Sequence, residues 1–171
     1  PLKSILENAF NTIISQTINV LSLSSRNDTM PMWAHYASNF TGYVIEFDMQ
    51  NPYFFSDDSN DCVKPVLYNN KLESVDNLYL RTIQGYDYFN NLLALQKTAD
   101  WAYEFEWRKV KSFTQLEIDE NGILLDTFPI EAITKIIFGC DTDYDFKIFA
   151  KQIIEGESKC KQIELFDSKF N

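Results

Sequence analysis

Met30-Pro31-Met32-Trp33-Ala34-His35-Tyr36, running on to Tyr43-Val44-Ile45-Glu46-Phe47-Asp48, sets a short helix directly before a strand. Pro31 suits the first turn of a helix, where its missing N–H would lack a partner anyway, and Asp28 or Thr29 stands where a cap belongs. A short helix over 31–38 is therefore expected, followed by a turn from Asn39 to Gly42. From Tyr43 to Asp48 the chain alternates, with Val44 and Glu46 on one face and Tyr43, Ile45 and Phe47 on the other, as a strand does. Upstream, Thr17 to Ser24 alternates in the same way and reads as a central strand. The helix between these two strands carries His35, the single histidine among 171 residues.

Outward from that stretch, Pro1 to Ile14 reads as a helix, with Leu2, Ile5, Leu6, Ala9, Phe10 and Ile13 at three- and four-residue spacing. Asn51 to Asp61 is an acidic, Ser- and Asn-rich loop. Cys62 to Tyr68 is a strand whose Pro65 belongs at an edge or a bulge, because it has no N–H for a ladder. Leu78, Ile83, Tyr86, Phe89, Leu92, Leu93 and Leu95 line one side of a longer helix from Asn77 to about Thr98, weakened by Gly85. Tyr103 to Thr114 alternates as a long strand. Asn121-Gly122 marks a turn before a short strand at Ile123 to Leu125. Ile133 to Phe138 is an apolar strand ending at Gly139. Asp141 to Ile154 is a helix with acidic residues at its N-terminus, where the helix dipole favours them. Lys161 to Phe166 is a last strand. Strands outnumber helices in a mixed order, so the fold class is α+β, with a central mixed, mainly antiparallel sheet and flanking helices in a single domain.

Composition narrows the function. Hydrophobic residues make up 45% and aromatic residues 15%, enough to build a core without disulfides. A formal charge of −10 argues against a broad nucleic-acid surface, which needs clustered Lys and Arg. Cys62, Cys140 and Cys160 form neither a C-x-x-C pair nor a Cys/His cluster, which disfavours structural zinc and suits a reducing, cytoplasmic location. No apolar run of about 18 residues is present, so no membrane partner is expected.

Two groups of residues stand out as candidate chemistry. His35, between Trp33 and Tyr36, can act as acid, base or hydrogen-bond donor near neutral pH. Glu104, Glu106 and Arg108 would share one strand face at about 6–7 Å per step, with Phe105 and Trp107 buried on the other. Adjacent carboxylates raise one pKa, while Arg108 lowers the nearer one. A third stretch, Ser22-Leu23-Ser24-Ser25-Arg26, ends a strand in hydroxyls followed by a guanidinium, which can hold a phosphate and is equally ordinary turn chemistry. Asp48, Glu46, Glu104 and Glu106 lack metal-ligand spacing, and no metal site is expected. Glycine-rich phosphate loops and nucleophile elbows are absent.

Met32-Trp33-Ala34-His35-Tyr36-Ala37, with Gly42 and Ile45-Glu46-Phe47-Asp48, resembles the first motif of a bacterial family, domain of unknown function family 2971. Trp101-x-Tyr103-Glu104-x-Glu106-Trp107-Arg108 is similar to that family's second motif, and Ile133 to Gly139 to its third block. The resemblance spans roughly residues 17 to 165. It implies a member that lacks the family's N-terminal strand and its "F-x-DPFD"-like segment.

The family name carries no activity, so function rests on the residues. The favoured expectation is a ligand- or nucleotide-binding or partner-interaction domain, its pocket formed by both motifs. In it His35, Glu104 and Glu106 are the catalytic candidates, and Ser24, Trp33, Tyr36, Tyr103 and Arg108 are the ligand contacts. The expected partner is a small molecule, a nucleotide or a protein. The alternative is an NAD-dependent ADP-ribosyltransferase-like enzyme, suited to a toxin or phage-defence effector. Its family places a hydroxyl strand before an E-x-E strand, an order similar to Ser22–Ser24 and Glu104-x-Glu106 here. NAD would be the cofactor only in that case.

Overall fold

A computed structural model describes residues 18–55, 62–71, 94–112 and 116–169. The helix expected over Pro1 to Ile14 and most of that expected over Asn77 to Thr98 lie outside these residues. The chain divides into two compact units, one of Pro1–Leu23 and Ser56–Thr127, the other of Ser24–Phe55 and Phe128–Asn171. The class is α+β, with mostly antiparallel strand pairing.

In the first unit, β1 (Ile18–Ser24), β3 (Lys64–Pro65) and β6 (Glu106–Ser112) form a three-stranded sheet in the order β1-β6-β3. Pro65 lies on the edge strand, paired with Trp107 in the antiparallel register, as its missing N–H requires. The chain then changes sheets at Val66. The Val66 N–H donates to Glu106 O at 2.9 Å and the Leu67 N–H to Leu95 O at 2.7 Å. From there β4 (Leu67–Asn69) pairs in parallel with β5 (Gln96–Thr98), setting Tyr68 opposite Lys97. Gln96–Thr98 is thus a strand and not the end of a helix, because its backbone groups find partners in a segment some thirty residues earlier.

The long strand expected from Tyr103 begins later. Ala99–Glu104 is a 3-10 helix, and Phe105, at φ 47°, turns the chain through the left-handed region before β6 starts at Glu106. Farther on, β7 (Glu117–Ile118) and β8 (Leu124–Leu125) form an antiparallel hairpin about Asn121-Gly122. Gly122 sits at φ 79°, open to glycine without penalty, and the Asp119 carboxylate accepts the N–H groups of Asn121 at 2.9 Å and Ile123 at 2.7 Å.

The second unit is built on β9 (Ile133–Phe138), which lies between β2 (Tyr43–Phe47) and β10 (Glu164–Asp167). β2 runs antiparallel to β9 and β10 parallel to it. A parallel neighbour needs a crossover, and α2 (Tyr144–Gly156) supplies it. Asp143 caps α2 by accepting the Phe146 N–H at 3.1 Å. Ile133, Ile154, Cys160 and Ile163 form the buried core, with Ile45, Phe47, Ile130, Ile136 and Leu165 packed around it. A second apolar cluster joins Phe47 to the buried Phe54 and to Phe128, both at 5.2 Å between ring centroids.

The opening stretch folds as α1 (Met30–Tyr36), with Pro31 in its first turn. Thr29 occupies the cap position without a side-chain bond. After α1, Ser38, Asn39 and Phe40 all take positive φ (47°, 53° and 68°), a left-handed turn in place of an ordinary one. Ala37 and Phe40 return their N–H groups to Trp33 O, and Gly42 donates to Ala37 O at 2.9 Å. Gly139 closes against this turn so tightly that a Cβ there would lie 1.9 Å from Phe40 O.

Candidate functional site

The charged residues of the second motif converge within the first unit, with a polarity opposite to the alternation. Glu104 and Glu106 are 2% and 6% exposed, whereas Phe105 and Trp107 are 40% and 38% exposed. The expected three-residue row is broken as well, since Glu104 belongs to the 3-10 helix and only Glu106 and Arg108 to β6. The left-handed turn at Phe105 is the physical reason. It folds Glu104 back so that both carboxylates reach one cation.

That cation is Lys97 on β5. Its ammonium donates to Glu104 Oε2 and, at 3.0 Å, to Glu106 Oε2. Arg108 grips Glu106 with two bonds, Nε to Oε1 at 2.7 Å and Nη2 to Oε2 at 3.0 Å. Its remaining Nη1 donates to Ala94 O at 2.5 Å. Tyr68, opposite Lys97 in the β4–β5 register, accepts the Glu106 backbone N–H at 2.8 Å through its hydroxyl. The Ser22 hydroxyl on β1 also hydrogen-bonds the Glu106 carboxylate. Two carboxylates and two cations therefore balance in a mostly buried cluster, the condition under which buried charges are tolerated.

Burial by itself would raise the Glu106 pKa. Hydrogen bonds from Arg108, Ser22 and Lys97 outweigh it and hold the carboxyl at about 2. Burial likewise works against the Lys97 ammonium, and its bonds to Glu104 and Glu106 overcome this and raise its pKa. Burial pushes the Tyr68 hydroxyl up. An aromatic wall borders the cluster. The Lys97 ammonium lies 5.1 Å from the centre of the Trp101 ring, and Trp101 and Tyr103 approach to 5.9 Å between centroids. Trp101 is 40% exposed, so the wall faces solvent.

The first motif lies in the second unit. Trp33 is interior, its indole N–H donating to Asn27 O at 2.7 Å and its ring stacked on Phe40 at 6.5 Å. His35 and Tyr36 are exposed on α1, their rings edge-on at 6.4 Å. Ser24 ends β1 in a local turn, accepting the Arg26 N–H at 3.2 Å and donating to Arg26 O at 2.9 Å. Arg26 itself pairs with Asp28. The structure thus gathers Tyr103, Glu104, Glu106 and Arg108 into one cluster, and Trp33, His35 and Tyr36 onto one helix.

Lys97 and Tyr68 carry no local sequence signal for this cluster. Lys97 falls at the end of a stretch that reads as helix, and Tyr68 on an edge strand with nothing to link it to Glu106. Among the described residues no group of three or more His, Cys, Asp or Glu is placed to hold a metal ion. No described helix is long and apolar enough to cross a membrane.

Residues 32–109 match a family model described as "Protein of unknown function (DUF2971)". The matched span contains the first and second motifs, while Ile133 to Gly139 lies beyond it. Neither a curated protein nor a solved structure matches the chain.

Proposed function

With residues 32–109 assigned to the DUF2971 family, we propose that the protein is a ligand-binding domain whose recognition surface is the Trp101–Tyr103 wall beside the Lys97–Glu104–Glu106–Arg108 cluster. The observation that carries this reading is geometric: Glu106 is gripped by Arg108 through two bonds and by Lys97 through a third, beside the exposed Trp101 ring. The Glu106 carboxylate is held by Arg108, Ser22 and Lys97 with a pKa of about 2. A general base works best when its pKa lies near the working pH, so Glu106 is poorly matched to proton abstraction at neutrality. A preorganised charge cluster bordered by an exposed indole is suited instead to holding a ligand by stacking and electrostatics. The test is a titration of the full chain with adenine nucleotides and NAD, followed by tryptophan emission. Saturable quenching that Trp101→Ala removes is the expected result. Quenching of equal size in that variant would place binding elsewhere.

A second reading, an ADP-ribosyltransferase-like enzyme, draws support from the Ser22–Glu106 hydrogen bond between the neighbouring strands β1 and β6. In that chemistry the carboxylate stabilises developing positive charge and must stay ionised, so a low pKa is no obstacle. Incubation with labelled NAD separates the two readings. Nicotinamide release by the wild type and not by Glu106→Gln favours the enzyme. Intact NAD with both proteins leaves the binding domain.

A further inference from the structure

Glu104 and Glu106 both pair with the Lys97 ammonium, which also lies 5.1 Å from the centre of the Trp101 ring. Tyr103 extends the aromatic wall, 5.9 Å from Trp101. Carboxylates joined to aromatic faces are the general solution for holding an organic cation. The ring quadrupole attracts the charge, and the carboxylates neutralise it. In this protein the cation held there is the chain's own side chain. We propose that this cage is a binding site for a small organic monocation, a quaternary ammonium or a pyridinium, and that Lys97 is its resident occupant, displaced when the ligand enters.

Three features support displacement. Withdrawal of Lys97 takes one positive charge away from Glu104 and Glu106, which an entering monocation restores. The Lys97 side chain is 21% exposed while those of Glu104 and Glu106 are 3% and 7% exposed, so the lysine is the cluster's outermost member among these three. Its four-carbon stem has the freedom to swing its ammonium into water, where that ion is strongly hydrated. The Arg108 guanidinium, in contrast, is fixed by two bonds to Glu106 and one to Ala94 O. A methylated or aromatic cation is less strongly hydrated than a lysine ammonium and gives up less water on entering. The preference for an organic cation over a metal ion follows from the indole face, which a hydrated metal ion cannot use without losing its shell.

This inference rests on the ligand-binding reading above, and its test separates the two. Full-length wild type, Lys97→Ala, and the double variant Lys97→Ala with Trp101→Ala are titrated with tetramethylammonium and N-methylpyridinium chlorides against sodium chloride at equal ionic strength. Melting temperature and tryptophan emission are the readouts. Lys97→Ala should bind both cations at least tenfold more tightly than the wild type, and the double variant should lose that gain. If Lys97→Ala does not fold alone, tetramethylammonium should restore its near-ultraviolet circular dichroism, and failure to do so overturns the proposal. So does a gain that survives loss of Trp101, or no gain at all. Adenine nucleotides binding through Trp101 while neither cation binds any variant would overturn the cation site and leave the ligand-binding reading standing. Binding of neither class removes both.

Discussion

Replacing Glu106 by Gln tests the balance of the buried cluster through its dependence on pH. The Glu106 carboxyl is held at about 2 against an ordinary 4.5. A carboxyl with a depressed folded pKa contributes stability that is fully present above its unfolded value and is lost as pH falls through the folded one. The gap corresponds to about 3–4 kcal/mol at full strength, at about 1.4 kcal/mol for each pH unit. Solvent screening through the exposed edge at Lys97 brings this to about 2 kcal/mol. Glutamine keeps the shape but does not titrate, and it leaves Arg108 and Lys97 with one carboxylate between them. The variant should therefore be less stable than the wild type by about 2 kcal/mol or more at pH 7, since breaking a buried pair strands its partner. That difference should shrink steadily between pH 5 and pH 2. Urea unfolding at half-unit pH steps, followed by tryptophan emission, measures it, with Trp101 and Trp107 reporting from the unit that holds Glu106. Carboxylates outside the cluster titrate in both proteins and cancel in the difference. A stability gap that stays constant from pH 7 to pH 2 would refute the assignment of the low pKa to Glu106.

Two further substitutions test how the second unit is held. Gly139→Ala would drive a Cβ to 1.9 Å from Phe40 O, a backbone atom that cannot rotate away, and should cost about 3 kcal/mol or more, read as a lowered melting temperature. Asp143→Ala removes the acceptor for the Phe146 N–H at the start of α2 and should cost about 1 kcal/mol, with loss of hydrogen-exchange protection confined to the first turn of that helix.

Local sequence was most informative where an element's partner mattered least. Ile133 to Phe138 is an apolar run stopped by a glycine that must lie flat against another backbone, and β9 has those bounds. Tyr43 onward alternates and is β2; Asp143 caps α2; Asn121-Gly122 turns a hairpin. From Glu106 to Arg108 the expected alternation holds in β6, but the covered face is the opposite one. Period 2 says that neighbours point to opposite sides, and says nothing of which side is covered. Phe105 and Trp107 are the larger apolar groups, so burying them was the natural expectation. The covered side is in fact the one where Lys97 and Arg108 compensate the carboxylates.

The α+β class, the strands that flank α1 and the residue types able to make a charged, aromatic site are all legible in the chain's local pattern. Capping, turn chemistry and hydrophobic period are local properties, written within a few residues of where they act. Tertiary structure alone decided that Lys97 and Tyr68 join Glu106, since parallel pairing of β4 with β5 brings together segments that share no local pattern. It alone decided that Glu106 stays ionised far below its ordinary range. A carboxylate's proton affinity is set by the donors around it, and those donors come from β1, β5 and β6.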